Sequence, residues 1–374
     1  MKEDKVITNI EQLTPEWLTR IFKNKGYLSQ GKVTKVIKKS SQVTTSSNVH
    51  FLELSFSDDA QNEPISPEIV VKIIKPVGVT NKYLGQHEAK FYSIVAETMN
   101  EIPIPTCYDA AFSEETGLSH IILENLSHTH EEIFKYIPIH PSKRQCEIAI
   151  DCIAELHARW WDDQKLREHS KHSFVLYTFK ENSFNEKDIF SWFKNQKRNL
   201  LVFLELLGDR ISDNRIELFK TIFSLYPQLA YERIKKKNIT VIHGDAHLWN
   251  FYYPKDIDNK KLKARLADWQ MWGIGIGGQD LAYMIGLWWY PERRHLMEKD
   301  LVKRYYNVLL KFGIKNYSWD ECWYDYKLFA LFNLYIVVYW WRGLNLDHGT
   351  WWPRLESSMC TIEDLNCIEL LESK

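Results

Sequence analysis

Between Val241 and Gln270 the chain reads V-I-H-G-D-A-H-L-W-N-F-Y-Y, then a polar turn, then R-L-A-D-W-Q. The apolar runs flanking H-G-D-x-H-x-x-N have the length and composition of strands. His243, Gly244, Asp245 and Asn250 therefore fall on a loop between two short strands, and Asp268 ends a third. Strand ends deliver side chains to fixed points. Two carboxylates and an amide delivered in this way suit phosphoryl transfer from a magnesium nucleotide: one aspartate orients the attacking hydroxyl, while the amide and the other aspartate hold metal on the phosphates. The pattern is too specific for an incidental polar loop.

Upstream, strand-like runs cover Lys32 to Lys38, Asn48 to Phe56, Glu68 to Ile74, Thr106 to Phe112 and Ser119 to Leu123. Turn-rich stretches, Lys39 to Ser47 and Ser57 to Pro67, separate the first three. A short helix is expected before them, with Thr14 as N-cap and Pro15 at its first position. Asn81 to Ala96 has helical periodicity, and Leu84, Glu88, Phe91 and Val95 make one stripe. An ionised glutamate on an apolar stripe needs a partner. Lys72 is the candidate, because it shares a strand face with Val70 and Ile74 and points inward. A strand lysine paired to a helix glutamate is an arrangement found in kinases. Together these elements predict a five-stranded antiparallel sheet carrying one helix, closed at Glu124 to Leu126, with a polar, His-rich connection to Pro141.

Beyond that connection the chain becomes mostly helical. Ser142 and Gln145 have capping-box spacing. Cys146, Ala149, Ile153, Leu156 and Trp160 trace the buried stripe of the helix that follows, and His157 beside it reads as a satisfied core histidine. Residues 183 to 230 carry helical patterns punctuated by Gly208 and Pro227. The run Arg233 to Lys237 reads as a solvated helix end rather than a phosphate site. After Asp268 a bend with Gly273, Gly275, Gly277 and Gly278 precedes a helix opened by Gln279 to Tyr283.

At 374 residues, two lobes are the expected organisation. Lys plus Arg number 48 and Asp plus Glu 49, so no global field recruits nucleic acid or an anionic membrane. The six cysteines include no C-x-x-C pair, which argues against a structural zinc site or a disulfide framework. Met1 to Lys5 is charged and lacks the apolar core of a signal peptide, so a cytoplasmic protein is expected. The longest apolar run, Leu328 to Trp341, is 14 residues, too short to cross a bilayer, and reads as a buried helix.

These residues together resemble the aminoglycoside phosphotransferase and choline kinase superfamily of small-molecule kinases, and within it most nearly the ecdysteroid-kinase-like group and its bacterial relatives. The shared segments are Leu13 to Leu18, Glu88 to Tyr92, Ile102 to Pro105, Leu156 to Trp160, His243 to Asn250, Asp268 to Gln270 and Asp280 to Ala282. The resemblance implies an α+β, bilobal protein-kinase-like fold. Residues 1–126 would form a small nucleotide-binding lobe of antiparallel sheet plus one helix, and residues 127–374 a large, mostly helical lobe. It implies Mg2+ as cofactor, ATP or GTP as phosphate donor and a small hydroxyl-bearing acceptor. Asp245 resembles the catalytic base, and Asn250 and Asp268 the magnesium ligands. Lys72, positioned by Glu88, would hold the α- and β-phosphates. The backbone of Glu124 to Leu126 would meet the nucleotide base. Asp280 resembles a buried carboxylate that ties down the catalytic loop, with His243 holding loop backbone. His247 stands where protein kinases place a lysine that reaches the transferring phosphate.

The turn expected to cover the phosphates, Ser40 to Asn48, has no glycine. Ser41, Thr44 and Ser46 would then supply hydroxyls and backbone N–H groups. The alternative to a kinase is an inert nucleotide-binding protein or scaffold. A protein kinase is disfavoured, since W-Q follows Asp268 and no activation segment fits before Asp280. Trp288, Trp289, Trp340, Trp341, Trp351 and Trp352 lie where the acceptor would be walled, mostly as core. Aromatic walls suit quaternary ammonium groups or flat polycyclic bodies alike. A near-neutral chain disfavours a polycationic acceptor.

Overall fold

Apolar, β-branched runs bounded by turns make the first part of the chain a sheet. The structure is a computed structural model and describes residues 6–44, 47–60, 63, 65–74, 85–99, 102–132, 140–169, 186–259 and 261–372. In it β1 (Val33–Val43), β2 (Ser47–Phe56), β3 (Glu68–Ile74), β4 (Cys107–Phe112) and β5 (Ser119–Glu124) pair antiparallel in the order β1-β2-β3-β5-β4. All five expected strands are present. The first hairpin is longer than its composition suggested, because β1 continues to Val43 opposite Asn48. Its polar side chains satisfy one another: Ser41 Oγ lies 2.7 Å from His50 Nδ1. A ladder needs only backbone groups, so polarity on an exposed edge does not end it.

The chain divides into two units, Met1–Ile133 with Phe251–Trp272, and Phe134–Asn250 with Gly273–Lys374. In the first, α1 (Pro15–Asn24) starts as predicted, with Thr14 Oγ1 accepting from Trp17 N at 3.2 Å and Pro15 at its first position. It buries Leu18 and Phe22 against Leu52, Leu54, Ile69, Val71 and Ile73. Ile69, Val71 and Ile73 share one face of β3, which leaves Lys72 on the other. Helix α2 (85–90) continues as a π-helical turn, Phe91–Val95. The rest of the expected helix, residues 81–84 including Leu84, lies outside the described residues. Gly85 is required where α2 begins, because a Cβ there would stand 2.4 Å from Ile74 Cγ2 at the end of β3. A second sheet joins His130–Glu132, Phe251–Pro254 and Arg265–Leu266.

The second unit is helical. It contains α3 (Lys143–Arg159), α4 (Leu166–His169), α5 (Glu186–Leu207), α6 (Asp213–Ile234), α7 (Gly278–Leu281), α8 (Pro291–Lys311), α9 (Trp319–Arg342), α10 (His348–Asp364) and α11 (Glu369–Glu372). Ser142 and Gln145 form the expected capping box on α3. Gly208, at φ 52°, follows α5, but Pro227 does not punctuate the pattern. It sits inside α6 among buried Phe223, Tyr226, Ala230 and Tyr231, whose packing offsets the roughly 3 kcal/mol that an internal proline costs. Arg233 also departs from expectation. It is buried, not solvated, and donates twice to Asp325, at 2.6 and 2.7 Å. Lys235, Lys236 and Lys237 are the exposed part of that run. Among the described residues no helix is long and apolar enough to cross a membrane.

Candidate active site

In the first unit the candidate site side chains gather around Lys72. Its Nζ donates to Glu88 Oε2 at 2.6 Å and to Asp268 Oδ1 at 3.1 Å. Burial opposes the ammonium charge, yet attraction from Asp268 and Glu88 outweighs it and raises the lysine pKa. Burial also pushes the Glu88 carboxyl upward. Lys72 opposes that shift, and with the ammonium so close the charged pair prevails.

The D-W-Q segment is fixed to β3, to α2 and to the turn after α2 by three consecutive side chains. Asp268 reaches Lys72. Trp269 is fully buried and stacks on Phe91, with ring centroids 3.8 Å apart and planes at 3°. Such a pair adds about 0.5–1.5 kcal/mol beyond area burial. Gln270 Nε2 donates to Glu88 Oε2 at 3.4 Å, and further on Trp272 Nε1 donates to His87 O at 2.9 Å. Asp268 itself has φ 65° and ψ 58°, a left-handed conformation that costs a non-glycine residue energy and turns its carboxylate out of the strand direction.

In the second unit the H-G-D loop hangs on Asp280. This carboxylate has no exposure and accepts from His243 N at 2.7 Å and Gly244 N at 2.9 Å, with His157 Nε2 at 3.1 Å. Burial works against its charge, but the hydrogen bonds and the His157 and His243 imidazoles prevail and hold its pKa below the ordinary 3.8. His157 is the core histidine that was expected, its Nδ1 lying 2.8 Å from the Tyr305 hydroxyl. Gly277 packs against this pair so closely that a Cβ would stand 2.1 Å from Tyr305 Oη.

The loop turns back on itself. Gly244 takes φ 78°, Asp245 N donates to His243 Nδ1 at 3.3 Å, and Asn250 Nδ2 donates to Asp245 O at 2.9 Å. That bond uses the amide nitrogen of Asn250 and orients its oxygen as an acceptor. His247 Nε2 is 3.7 Å from Asp245 Oδ2, and its ring meets Trp288 edge-on at 5.1 Å. The Tyr283 hydroxyl donates to Asp245 Oδ1. Burial, then the neighbouring Asp245 charge, raise the Tyr283 pKa well above the ordinary value, so the phenol keeps its proton.

Tyr283 was not singled out from the sequence. A signal existed, because it lies one helical turn beyond Asp280, and residues three apart share a face. A hydrogen bond to a charged acceptor contributes about 1.5–3 kcal/mol, and here it fixes one carboxylate oxygen. Tyr283→Phe is therefore expected to lower kcat roughly tenfold with nucleotide KM unchanged, in a steady-state assay. An unchanged kcat would remove Tyr283 from the positioning of Asp245. In the sequence Gln270 and Trp269 stand only as letters of the D-W-Q motif.

The remaining expected site residues have local partners. Thr44 Oγ1 donates to Ser47 O at 3.1 Å and accepts from Ser47 N at 3.0 Å, closing the hairpin turn. Ser41 faces His50 within the β1–β2 ladder. Ser46 lies outside the described residues. Glu124 Oε1 accepts from Thr106 N at 2.7 Å, and the Leu126 carbonyl accepts from Thr129 N and His130 N at 3.0 and 2.8 Å.

Residues 81–315 match the ecdysteroid kinase-like family. A search of curated proteins finds no match. Among solved structures, an ethanolamine kinase from Plasmodium vivax is similar at 11% identity with a TM-score of 0.54, the likeness covering 99% of this chain and 92% of that one. The choline kinase LicA from Streptococcus pneumoniae is similar at 13% identity and TM-score 0.46, over 94% of this chain and 99% of its own. A GDP complex of an aminoglycoside 2'-phosphotransferase is similar at 12% identity and TM-score 0.46, over 95% and 98%. The first likeness shows the fold, an α+β architecture of the protein-kinase type, as the sequence led one to expect.

Proposed function

Because the chain belongs to the ecdysteroid kinase-like family, we propose that it is a small-molecule kinase moving the γ-phosphate of magnesium ATP or GTP onto a hydroxyl of a small metabolite or antibiotic. The observation that carries this reading is Lys72 Nζ held by Glu88 at 2.6 Å and by Asp268 at 3.1 Å. A lysine so placed presents a fixed positive charge to phosphate oxygens, and the glutamate keeps it charged despite burial.

Asp268 and Asn250 are the residues assigned to a magnesium ion. Asp268 has a side chain 45% exposed, and Asn250 presents an amide oxygen. Among the described residues no group of three or more His, Cys, Asp or Glu could hold a metal. Magnesium is commonly held by one or two protein oxygens and completed by phosphates and water. Bound there, the ion neutralises charge on the transferring phosphoryl group.

Asp245 does the proton work. Tyr283 holds one carboxylate oxygen, and the other faces the acceptor hydroxyl. The hydroxyl oxygen attacks the γ-phosphorus, its proton passes to Asp245, and the bond to the β-phosphate oxygen breaks to release the nucleoside diphosphate. Little covalent chemistry falls to the protein, so positioning and charge supply the rate. His247 stands beside Asp245 and is assigned to the transferring phosphate. Glu124 to Leu126 are assigned to the nucleotide base, and Ser41, Thr44 and Ser46 to the phosphates.

The occupied hydroxyls of Ser41 and Thr44, in a turn without glycine, favour the second reading, an inert nucleotide-binding protein. Calorimetry with magnesium ATP and GTP tests the first step. The wild-type chain is expected to bind at least one of them, and Lys72→Met to weaken that binding about tenfold or more. If neither nucleotide binds at millimolar concentration, both readings fall. Nucleotide binding without alcohol-dependent turnover across a screen of hydroxylated compounds selects the inert one.

A further inference from the structure

Next to the Asp245 loop, the second unit holds a basic corner. Trp288 touches three rings there: His247 at 5.1 Å, Trp249 at 4.9 Å and Trp340 at 5.8 Å between centroids. Tyr283, which holds Asp245, lies 6.2 Å from the same indole. Over Trp288 sits Arg354 of α10, its Cζ 4.3 Å from the ring centroid.

Arg354 is half-buried, and among the described residues no carboxylate pairs with it. Its Nε is buried with no hydrogen-bond partner. Burial pulls its pKa below the ordinary arginine value, and among the described residues the phenols of Tyr290 and Tyr283 act in its favour. Arg293 adds a second positive charge nearby, donating to Pro141 O and lying 5.0 Å over Trp289. Both guanidiniums, after burial itself, hold the His140 imidazole pKa down. A cation–π contact contributes about 0.5–2 kcal/mol, whereas the penalty for desolvating an unpaired charge runs to several. Trp288 alone does not balance Arg354. An incoming anion would.

We propose that Arg354 is the specificity residue for the acceptor, and that the acceptor carries an anionic group, a carboxylate or its equivalent, on an apolar planar body laid against Trp288. The inference rests on the kinase reading for the word acceptor, since the contacts run from Asp245 through Tyr283 and Trp288 to Arg354. The planar, forked guanidinium suits a bidentate carboxylate, and stacking on the indole presets its plane. The same charge disfavours a quaternary ammonium or polyamine acceptor, which an indole wall alone would welcome.

The test compares para-hydroxymethylbenzoate with its neutral methyl ester and with para-hydroxymethylbenzyltrimethylammonium, by calorimetry without nucleotide. The carboxylate is expected to bind wild type roughly tenfold more tightly than the ester, and the cation most weakly. Arg354→Gln is expected to bring carboxylate and ester to equal affinity, while Arg354→Lys keeps part of the preference. Circular dichroism and magnesium ATP affinity serve as controls, and both are expected to match wild type in the two variants. A carboxylate preference that survives Arg354→Gln overturns the proposal, as does no carboxylate binding to wild type at millimolar concentration. Loss of nucleotide affinity in Arg354→Gln overturns it too, by moving Arg354 to the donor. If the carboxylate binds through Arg354 but no nucleotide binds the chain, the kinase reading fails and the anion site stands.

Discussion

Asp245→Asn is expected to lower kcat about 10²–10⁴-fold while nucleotide affinity stays within a factor of about two. Asparagine keeps the shape of the side chain, and its oxygen can still accept from Tyr283. The loop geometry does not depend on the Asp245 carboxylate, since Asn250 Nδ2 donates to the backbone oxygen of residue 245 and Asp280 holds the two preceding N–H groups. On the proposed mechanism, what is lost is an acceptor for the proton of the attacking hydroxyl. Steady-state turnover and nucleotide calorimetry on the same preparation separate the two effects. Near-normal turnover would show that the base lies elsewhere.

Asp280→Asn is expected to cost about 3–5 kcal/mol of stability and most of the activity with it. The carboxylate is fully buried and satisfies two backbone N–H groups and the His157 ring at once. An amide offers one oxygen and sets an NH2 against a donor, leaving buried donors without partners. Urea unfolding of wild type and variant measures the loss. The pH dependence has a definite sign. Because the native pKa of Asp280 lies below the ordinary 3.8, its contribution is full above that value and fades as pH falls through the depressed native pKa. The stability gap between wild type and Asp280→Asn is therefore constant from neutral pH to about 5 and narrows below about 4. A gap that stays constant down to about pH 2 would show that the native pKa of Asp280 is not depressed.

Much of the fold was legible because it rests on periodicity. Apolar, β-branched runs in β2, β3 and β5 and the turns that bound them announce strands, and Thr14-Pro15 and Ser142 with Gln145 announce helix starts through local hydrogen bonding alone. The pairing of Lys72 with Glu88 was also legible, since a carboxylate on an apolar stripe demands a cation and one inward-facing lysine stands upstream. The misreadings have a common cause. The hydroxyl-rich stretch after Lys39 continues as strand because the neighbouring strand supplies its backbone partners. Pro227 stays in a helix because packing on both sides holds it there. Arg233 was read as solvated because its partner, Asp325, lies 92 positions away.

From its sequence alone the chain determined which residues could do chemistry: the H-G-D loop, Asn250, Asp268 and the lysine–glutamate pair, each announced by residue type and spacing within one element or the next. Tertiary structure alone decided what those residues touch. Lys72 meets Asp268 across 196 positions, Asp245 accepts a hydrogen bond from Tyr283, and Arg354 lies over Trp288 with no carboxylate partner among the described residues. The division is physical. Spacing within an element follows from fixed helix and strand periods, which a sequence displays directly. The pairing of buried charges is set by which distant elements pack together, and no local period records that choice.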